Sequence, residues 1–146
     1  MLVFIKSAIG MIASLLFWPP CLIALLHKTR GVKIKNFRNI FISYYVTIDN
    51  VFPELVEIGE DVKLTRNVTI LSHFHPTSMI SDKYGHMVKK RTIIHDGVFI
   101  GIGSIVLPGV EIGEGTVIGA CSVVTKNMPA YSICGGNSCR VISIYK

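Results

Sequence analysis

Ser72-His73-Phe74-His75-Pro76 places two imidazoles two residues apart, directly ahead of a proline. In an extended segment, residues i and i+2 share a face, so His73 and His75 are presented together while Phe74 turns the other way. A neutral imidazole that titrates near working pH can take the proton of a hydroxyl as its oxygen attacks an electrophile, then pass that proton to the leaving group. Spacing alone favours a plainer reading, two surface histidines at a strand edge. With His86 and His95 the chain also holds enough imidazoles for a zinc site.

The elements that must position these residues are written in a six-residue period. Ile34, Ile40, Val46, Phe52, Ile58, Leu64 and Ile70, then Ile94, Ile100, Val106, Ile112, Ile118 and Val124, fall on one phase. In a chain that is 50% hydrophobic, thirteen hits from thirteen arise by chance on the order of once in ten thousand. Six matches neither a 3.6-residue helix nor a heptad. It fits a parallel β-helix in which each hexapeptide supplies a short strand and a corner, and three of them make a triangular coil with the ladder residue inside. Gly follows the ladder residue at Ile58-Gly59, Ile100-Gly101, Ile112-Gly113 and Ile118-Gly119, where a corner needs positive φ or close backbone approach. Four positions past the ladder stand Val62, Val68, Val98, Ser104, Val110, Thr116 and Ser122, small or branched enough for a narrow interior. The ladder stops between Ile70 and Ile94. The polar, basic stretch 76–93, with Pro76 and Gly85, is expected to be a loop thrown out of the prism.

The run from Val98 to Pro129, with Phe99-Ile100-Gly101, Leu107-Pro108-Gly109 and Val124-Thr125-Lys126, resembles the C-terminal coils of hexapeptide-repeat acyltransferases, and among them the sugar O-acetyltransferase branch. The likeness covers about residues 34 to 142 and implies an all-β fold, a left-handed parallel β-helix. It also implies acetyl-CoA as co-substrate, no metal, a homotrimer with active sites between subunits, and a carbohydrate acceptor. His75-Pro76 occupies the family's catalytic position, so the resemblance implies His75 as general base with His73 in support. It implies a donor groove at Ile102 and Ala120 along the pantetheine arm, Thr125 and Lys126 near the adenosine phosphate, and Arg140 close to the nucleotide. Lys126 and Arg140 suit phosphate contacts, and Phe99 stands where the family often has Trp. Transfer is expected to be direct, with a backbone N–H for the oxyanion and no acyl-enzyme on Cys121, Cys134 or Cys139. The chain departs from the pattern at Gly136-Asn137-Ser138-Cys139 and in the acceptor residues, for which Asp49 and Asn67, with Asn50, are the available substitutes.

Composition agrees with one elongated domain. The 146 residues carry a formal charge of +6, which suits anionic partners such as coenzyme A or an acidic membrane surface; no nucleic-acid partner is expected. Four cysteines, Cys21, Cys121, Cys134 and Cys139, lack metal or scaffold spacing and point to a reducing cytoplasm. Residues 1–30 are expected to form a hydrophobic, helical segment. Ser7 to Leu26 carry no formal charge, and Trp18-Pro19-Pro20 breaks a helix that ends near Phe17. With the basic flank His27, Lys28, Arg30, Lys33 and Lys35, the segment predicts association with the cytoplasmic face of a membrane. The competing expectation is a pair of helices that caps the open end of the coil. The β-helix is expected over 31–142, with a tail at 143–146.

Other functions fit less of the chain. Serine O-acetyltransferase and amino-sugar N-acetyltransferase share the chemistry, but the stretch before His75-Pro76 lacks the Asp-Arg of the serine enzymes. A γ-type carbonic anhydrase needs histidine pairs at a spacing that His73, His75, His86 and His95 do not show. A non-catalytic scaffold would keep the coil alone.

Overall fold

The computed structural model describes residues 2–15 and 19–146. Three parallel sheets form the walls of a triangular coil. Wall 1 stacks β1 (Lys33–Ile34), β4 (Val56–Ile58), β9 (Thr92–Ile94) and β12 (Glu111–Ile112). Wall 2 stacks β2 (Ile40–Ile42), β5 (Val62–Leu64), β10 (Phe99–Ile100), β13 (Val117–Ile118) and β15 (Ser132–Gly135), and ends on the antiparallel β16 (Arg140–Ile144). Wall 3 stacks β3 (Thr47–Ile48), β6 (Thr69–Ile70), β11 (Ile105–Val106) and β14 (Val123–Val124). A separate antiparallel pair, β7 (His73–Phe74) and β8 (Val88–Lys89), leaves the coil after wall 3.

Strands this short are held by their neighbours above and below, and by the apolar column each wall turns inward. The columns are Ile34, Ile58, Ile94 and Ile112; Ile42, Leu64, Ile100, Ile118 and Cys134; and Ile48, Ile70, Val106 and Val124. Each is at most 4% exposed, so every isoleucine contributes roughly 1.5–3 kcal/mol by burial. This register corrects the first coil of the sequence ladder. Ile42 and Ile48 are the column residues there, whereas Ile40 and Val46 stand two positions earlier, beside Val62 and Val68 on the inner surface. Two extra residues between Ile34 and Ile42 and four between Ile48 and Ile58 restore the phase by Ile58, which is why the period of six conceals both insertions. Phe52 is not in the column; it is half-buried outside the prism.

Close approach, not positive φ, accounts for Gly59, Gly101 and Gly113 after the ladder: a Cβ on Gly101 would lie 2.5 Å from the Ala120 nitrogen, whereas one on Gly119 would meet its nearest neighbour at 3.4 Å. Positive φ falls two residues later, at nine of the corners. Gly97, Gly103, Gly109 and Gly115 hold that position, as do Tyr45, Asp61, Asn67, Cys121 and Tyr131. The expected small interior residues Val62, Val68, Val98, Ser104, Val110, Thr116 and Ser122 are all buried. The Ser104 and Ser122 hydroxyls both donate to the Gly119 carbonyl, and that of Thr116 to the Pro129 carbonyl, which satisfies them inside the coil.

Val56 to Ile58 pair directly with Thr92 to Ile94, so no coil lies between them and the insertion is an excursion. Thr92 and Ile93, expected in the loop, belong to β9; the loop carries a single helical turn, α3 (Ser81–Tyr84). Ser143 and Ile144, expected in a tail, complete β16.

At the open end lie α1 (Leu2–Leu15) and α2 (Pro20–Thr29). Pro20 opens α2, where its missing N–H costs nothing. The predicted end of the first helix near Phe17 lies outside the described residues. Ala13, Ile23 and Ala24 join the buried core, so the helices cap the coil. The basic flank is divided: His27 and Arg30 are buried, while Lys28, Lys33 and Lys35 are not. Among the described residues no helix is long and apolar enough to cross a membrane.

Candidate active site

Asp49 follows directly on the wall 3 column residue Ile48, where the longer of the two expanded corners begins. Its Oδ1 accepts the N–H of Val51 at 2.9 Å and of Phe52 at 3.0 Å, an Asx turn that carries the chain out of the hexapeptide path. Its Oδ2 accepts the Ser72 N–H at 2.8 Å and lies 2.6 Å from His73 Nδ1. Burial raises the carboxyl pKa, but these hydrogen bonds from Phe52, His73 and Ser72 outweigh it and hold the group at about 2. Asp49 is therefore ionised at neutral pH, and it faces His73. That differs from the acceptor-binding place expected for it, because both carboxylate oxygens are turned inward and occupied.

With an ionised carboxylate as partner, Nδ1 of His73 is the donor, and in the neutral ring the lone pair is then on Nε2. The Phe52 ring meets His73 edge-on at 5.2 Å, and the His75 ring does so at 5.5 Å. Lys89, paired with His73 across the β7–β8 hairpin, sets its ammonium 4.0 Å from the Phe52 ring centre. His75 is exposed, and its contact is the neighbouring imidazole. The structure thus brings both predicted histidines together and gives the orienting carboxylate to His73. Sequence reasoning had selected Asp49 without that role. The ten-residue step from Ile48 to Ile58 was the available signal, hidden because the total insertion equals one period.

The predicted donor residues occupy two corners. Ile102 and Ala120 are exposed at the corner between walls 2 and 3, on successive coils joined by the Cys121 N–H to Ile102 carbonyl bond. Asn67 is on that same corner, where its φ of 60° supplies the turn. Thr125 and Lys126 stand at the corner between walls 3 and 1, the same corner as Asp49 and His73: Asp49 bonds Ile70, Leu71 bonds Val106 and Leu107 bonds Val124 in one column. Two coils at ~4.8 Å each separate His73 from Lys126, roughly 10 Å. Thr125 Oγ1 is 2.8 Å from Ser138 Oγ, which ties this corner to the chain leading into Arg140, exposed at the start of β16. The two corners are one wall apart, on the order of 15 Å at ~3.3 Å per extended residue.

An open groove of about 690 Å³ runs along wall 1 between Lys28, Lys33, Lys35, Glu57, Asp96 and Glu114, and includes none of the predicted site residues. Four of its charges are closed on one another, with Lys33 2.7 Å from Glu57 and Lys35 2.8 Å from Asp96. His95 is on this wall, 2.7 Å from Glu111. Among the described residues no three His, Cys, Asp or Glu side chains are grouped to hold a metal ion.

A family profile described as bacterial transferase hexapeptide (six repeats) matches residues 91–126. The galactoside O-acetyltransferase of Escherichia coli (strain K12) is 37% identical over 112 residues, 77% of this chain and 54% of that protein. The chain spans about half the length of the curated relatives it matches. A maltose O-acetyltransferase from Clostridium difficile 630 has a similar structure, with a TM-score of 0.69 at 24% identity over 98% of this chain and 86% of that one. A galactoside acetyltransferase in complex with coenzyme A gives 0.70 at 23% identity over 98% and 80%. At these identities the likeness concerns the fold, and with the parallel sheets it fits an all-β left-handed β-helix.

Proposed function

Because the chain belongs to the hexapeptide-repeat acyltransferase family, in its sugar O-acetyltransferase branch, we propose that it transfers the acetyl group of acetyl-CoA directly to a hydroxyl of a sugar or glycan. The observation that carries the reading is the 2.6 Å contact between Asp49 and His73 at the point where the chain leaves the coil. A hydroxyl is a poor nucleophile until its proton is taken, and an imidazole fixed through Nδ1 is placed to take it at Nε2. His73 is then the general base, and the ionised Asp49 stabilises the imidazolium that forms. The proton passes from His73 to the departing thiolate of coenzyme A. His75, exposed beside it, borders the space in which the acceptor hydroxyl sits. This reverses the order expected from His75-Pro76, because His73 has the orienting carboxylate.

Lys126 and Arg140 are exposed cations suited to the donor's phosphates, and Ile102 and Ala120 offer an exposed, uncharged corner for its pantetheine arm. The two corners stand one wall apart in a single chain. A homotrimer that sets the His73 corner of one copy beside the Ile102 corner of the next closes that distance, and three such sites form between subunits. The outer side of α1, where Phe4 is 81% exposed and Ile5, Met11 and Ile12 are also outward, supports attachment to the cytoplasmic face of a membrane. An acceptor of surface polysaccharide or glycolipid biosynthesis fits that location.

The test is thiol release from acetyl-CoA across simple glycosides, nucleotide sugars and lipid-linked glycans, with His73→Ala and His75→Ala compared on the best acceptor. A kcat loss of about 10²–10⁴ in His73→Ala, and a smaller loss in His75→Ala, is expected. The reverse order would return the base to His75, and two unaffected variants would refute the mechanism.

A further inference from the structure

Arg30 is 2% exposed, yet among the described residues its guanidinium hydrogen-bonds to no carboxylate oxygen. Its partners are neutral. Nη1 donates to the Asp49 carbonyl at 2.8 Å and is 3.4 Å from Asn50 Oδ1, while Nη2 donates to the Ile48 carbonyl. Nε donates to His27 Nδ1 at 3.0 Å, with Nη2 2.9 Å from the same nitrogen. The two carbonyls belong to the peptide groups on either side of the Asp49 Cα. Holding both planes fixes φ and ψ at Asp49, and hence the direction from which its side chain starts.

Two further features show how closely the cap is fitted to this grip. His27 Nδ1 faces the guanidinium as an acceptor, which leaves the ring proton on Nε2, a buried atom with no partner among the described residues. Burial, with the Arg30 charge beside it, lowers the His27 pKa to about 3, so the ring stays neutral and keeps its lone pair for Arg30. Above the guanidinium lies Gly10 of α1: a Cβ there would fall 2.5 Å from Asn50 Oδ1 and 3.1 Å from Arg30 Cζ. A side chain at this position would push the Asn50 amide and the guanidinium out of their places. Lys6 of α1, 3.2 Å from Glu54, ties the same helix to the turn after Phe52.

We propose that Arg30 is a positioning residue of the active site: by gripping the Ile48 and Asp49 carbonyls it aims the Asp49 carboxylate at His73, and the N-terminal cap is thereby the outer layer of the catalytic apparatus. The inference rests on the reading of His73 as the base. It assigns a catalytic purpose to a cation that the sequence places in a membrane-facing flank. Arg30 acts through two links, from guanidinium to backbone and from carboxylate to imidazole.

The test uses the full chain labelled with ¹⁵N-histidine, in which the ring nitrogen shifts of His73 report its tautomer, alongside acetyl-transfer kinetics. In the parent protein the Nδ1–H form dominates. Arg30→Met is expected to show both tautomers and to lose kcat by about 10- to 100-fold, the cost of a displacement on the scale of an ångström. KM for acetyl-CoA should stay within about twofold, since the donor residues are untouched. Arg30→Lys keeps the buried charge but can meet only one of the two carbonyls, so it should also mix tautomers, to a smaller extent. A folded Arg30→Met with a single Nδ1–H tautomer and unchanged kcat overturns the proposal; if that variant fails to fold, the same result in Arg30→Lys overturns it. Should the parent protein acetylate no sugar, the acetyltransferase reading falls, while the tautomer comparison still decides the role of Arg30.

Discussion

Asp49→Asn is the sharpest perturbation of the site, because it changes one atom of a buried side chain that accepts four hydrogen bonds. The carboxyl titrates at about 2 in the folded chain against 3.8 for the free group, and at ~1.4 kcal/mol per unit its ionised form contributes about 2 kcal/mol to stability. An amide in its place can still accept from Val51 and Phe52, but turns an NH₂ toward the Ser72 N–H and His73 Nδ1–H, leaving donors without acceptors at roughly 1–3 kcal/mol. The expected loss at pH 7 is therefore about 3–5 kcal/mol, no more than the ~5–15 kcal/mol that stabilises a typical domain, so the variant is expected to fold. Because the folded pKa is depressed, the ionisation part is fully present above pH ~4 and is lost as pH falls toward ~2. The stability gap between parent and variant in urea should accordingly narrow between pH 4 and pH 2. Kinetically, the amide favours the wrong tautomer of His73, and kcat for thiol release should fall by about 10³–10⁴, as for a triad aspartate changed to asparagine. A kcat within about threefold of the parent, with an unchanged stability gap down to pH 2, would refute both the electrostatic and the catalytic reasoning.

Three other outcomes are open to direct measurement. Ile112→Ala, on the last rung of the wall 1 column and fully buried, should cost about 2–5 kcal/mol in chemical denaturation. Gly101→Ala forces a Cβ to within 2.5 Å of the Ala120 nitrogen, so it should lower the melting temperature and weaken the Ile102–Ala120 corner; an unchanged melting temperature would show that the coils can separate there. The double variant Lys126→Gln with Arg140→Gln should raise KM for acetyl-CoA by about 10-fold with little change in kcat, and flatten its dependence on salt concentration; a pure kcat effect would move these residues out of the donor site.

Period and composition alone determined the coil. A hydrophobic residue every six positions can be buried all on one side only by a chain that turns after each short strand, and that constraint is local, so it is legible without coordinates. The same is true of the exit after Ile70, where the ladder stops. Register is a different matter. Phe52 satisfies the period and still lies outside the prism, because insertions of two and four residues cancel in the count and only pairing between coils reveals them. The Asp49–His73 contact spans 24 residues of chain and that of Arg30 with the Asp49 carbonyl spans 19. Neither has a local pattern, since each depends on which coil lies beside which and on a helix folding back over the open end. The chain announced its histidines; stacking the coils chose which one receives a carboxylate, and the cap determined what holds that carboxylate in place.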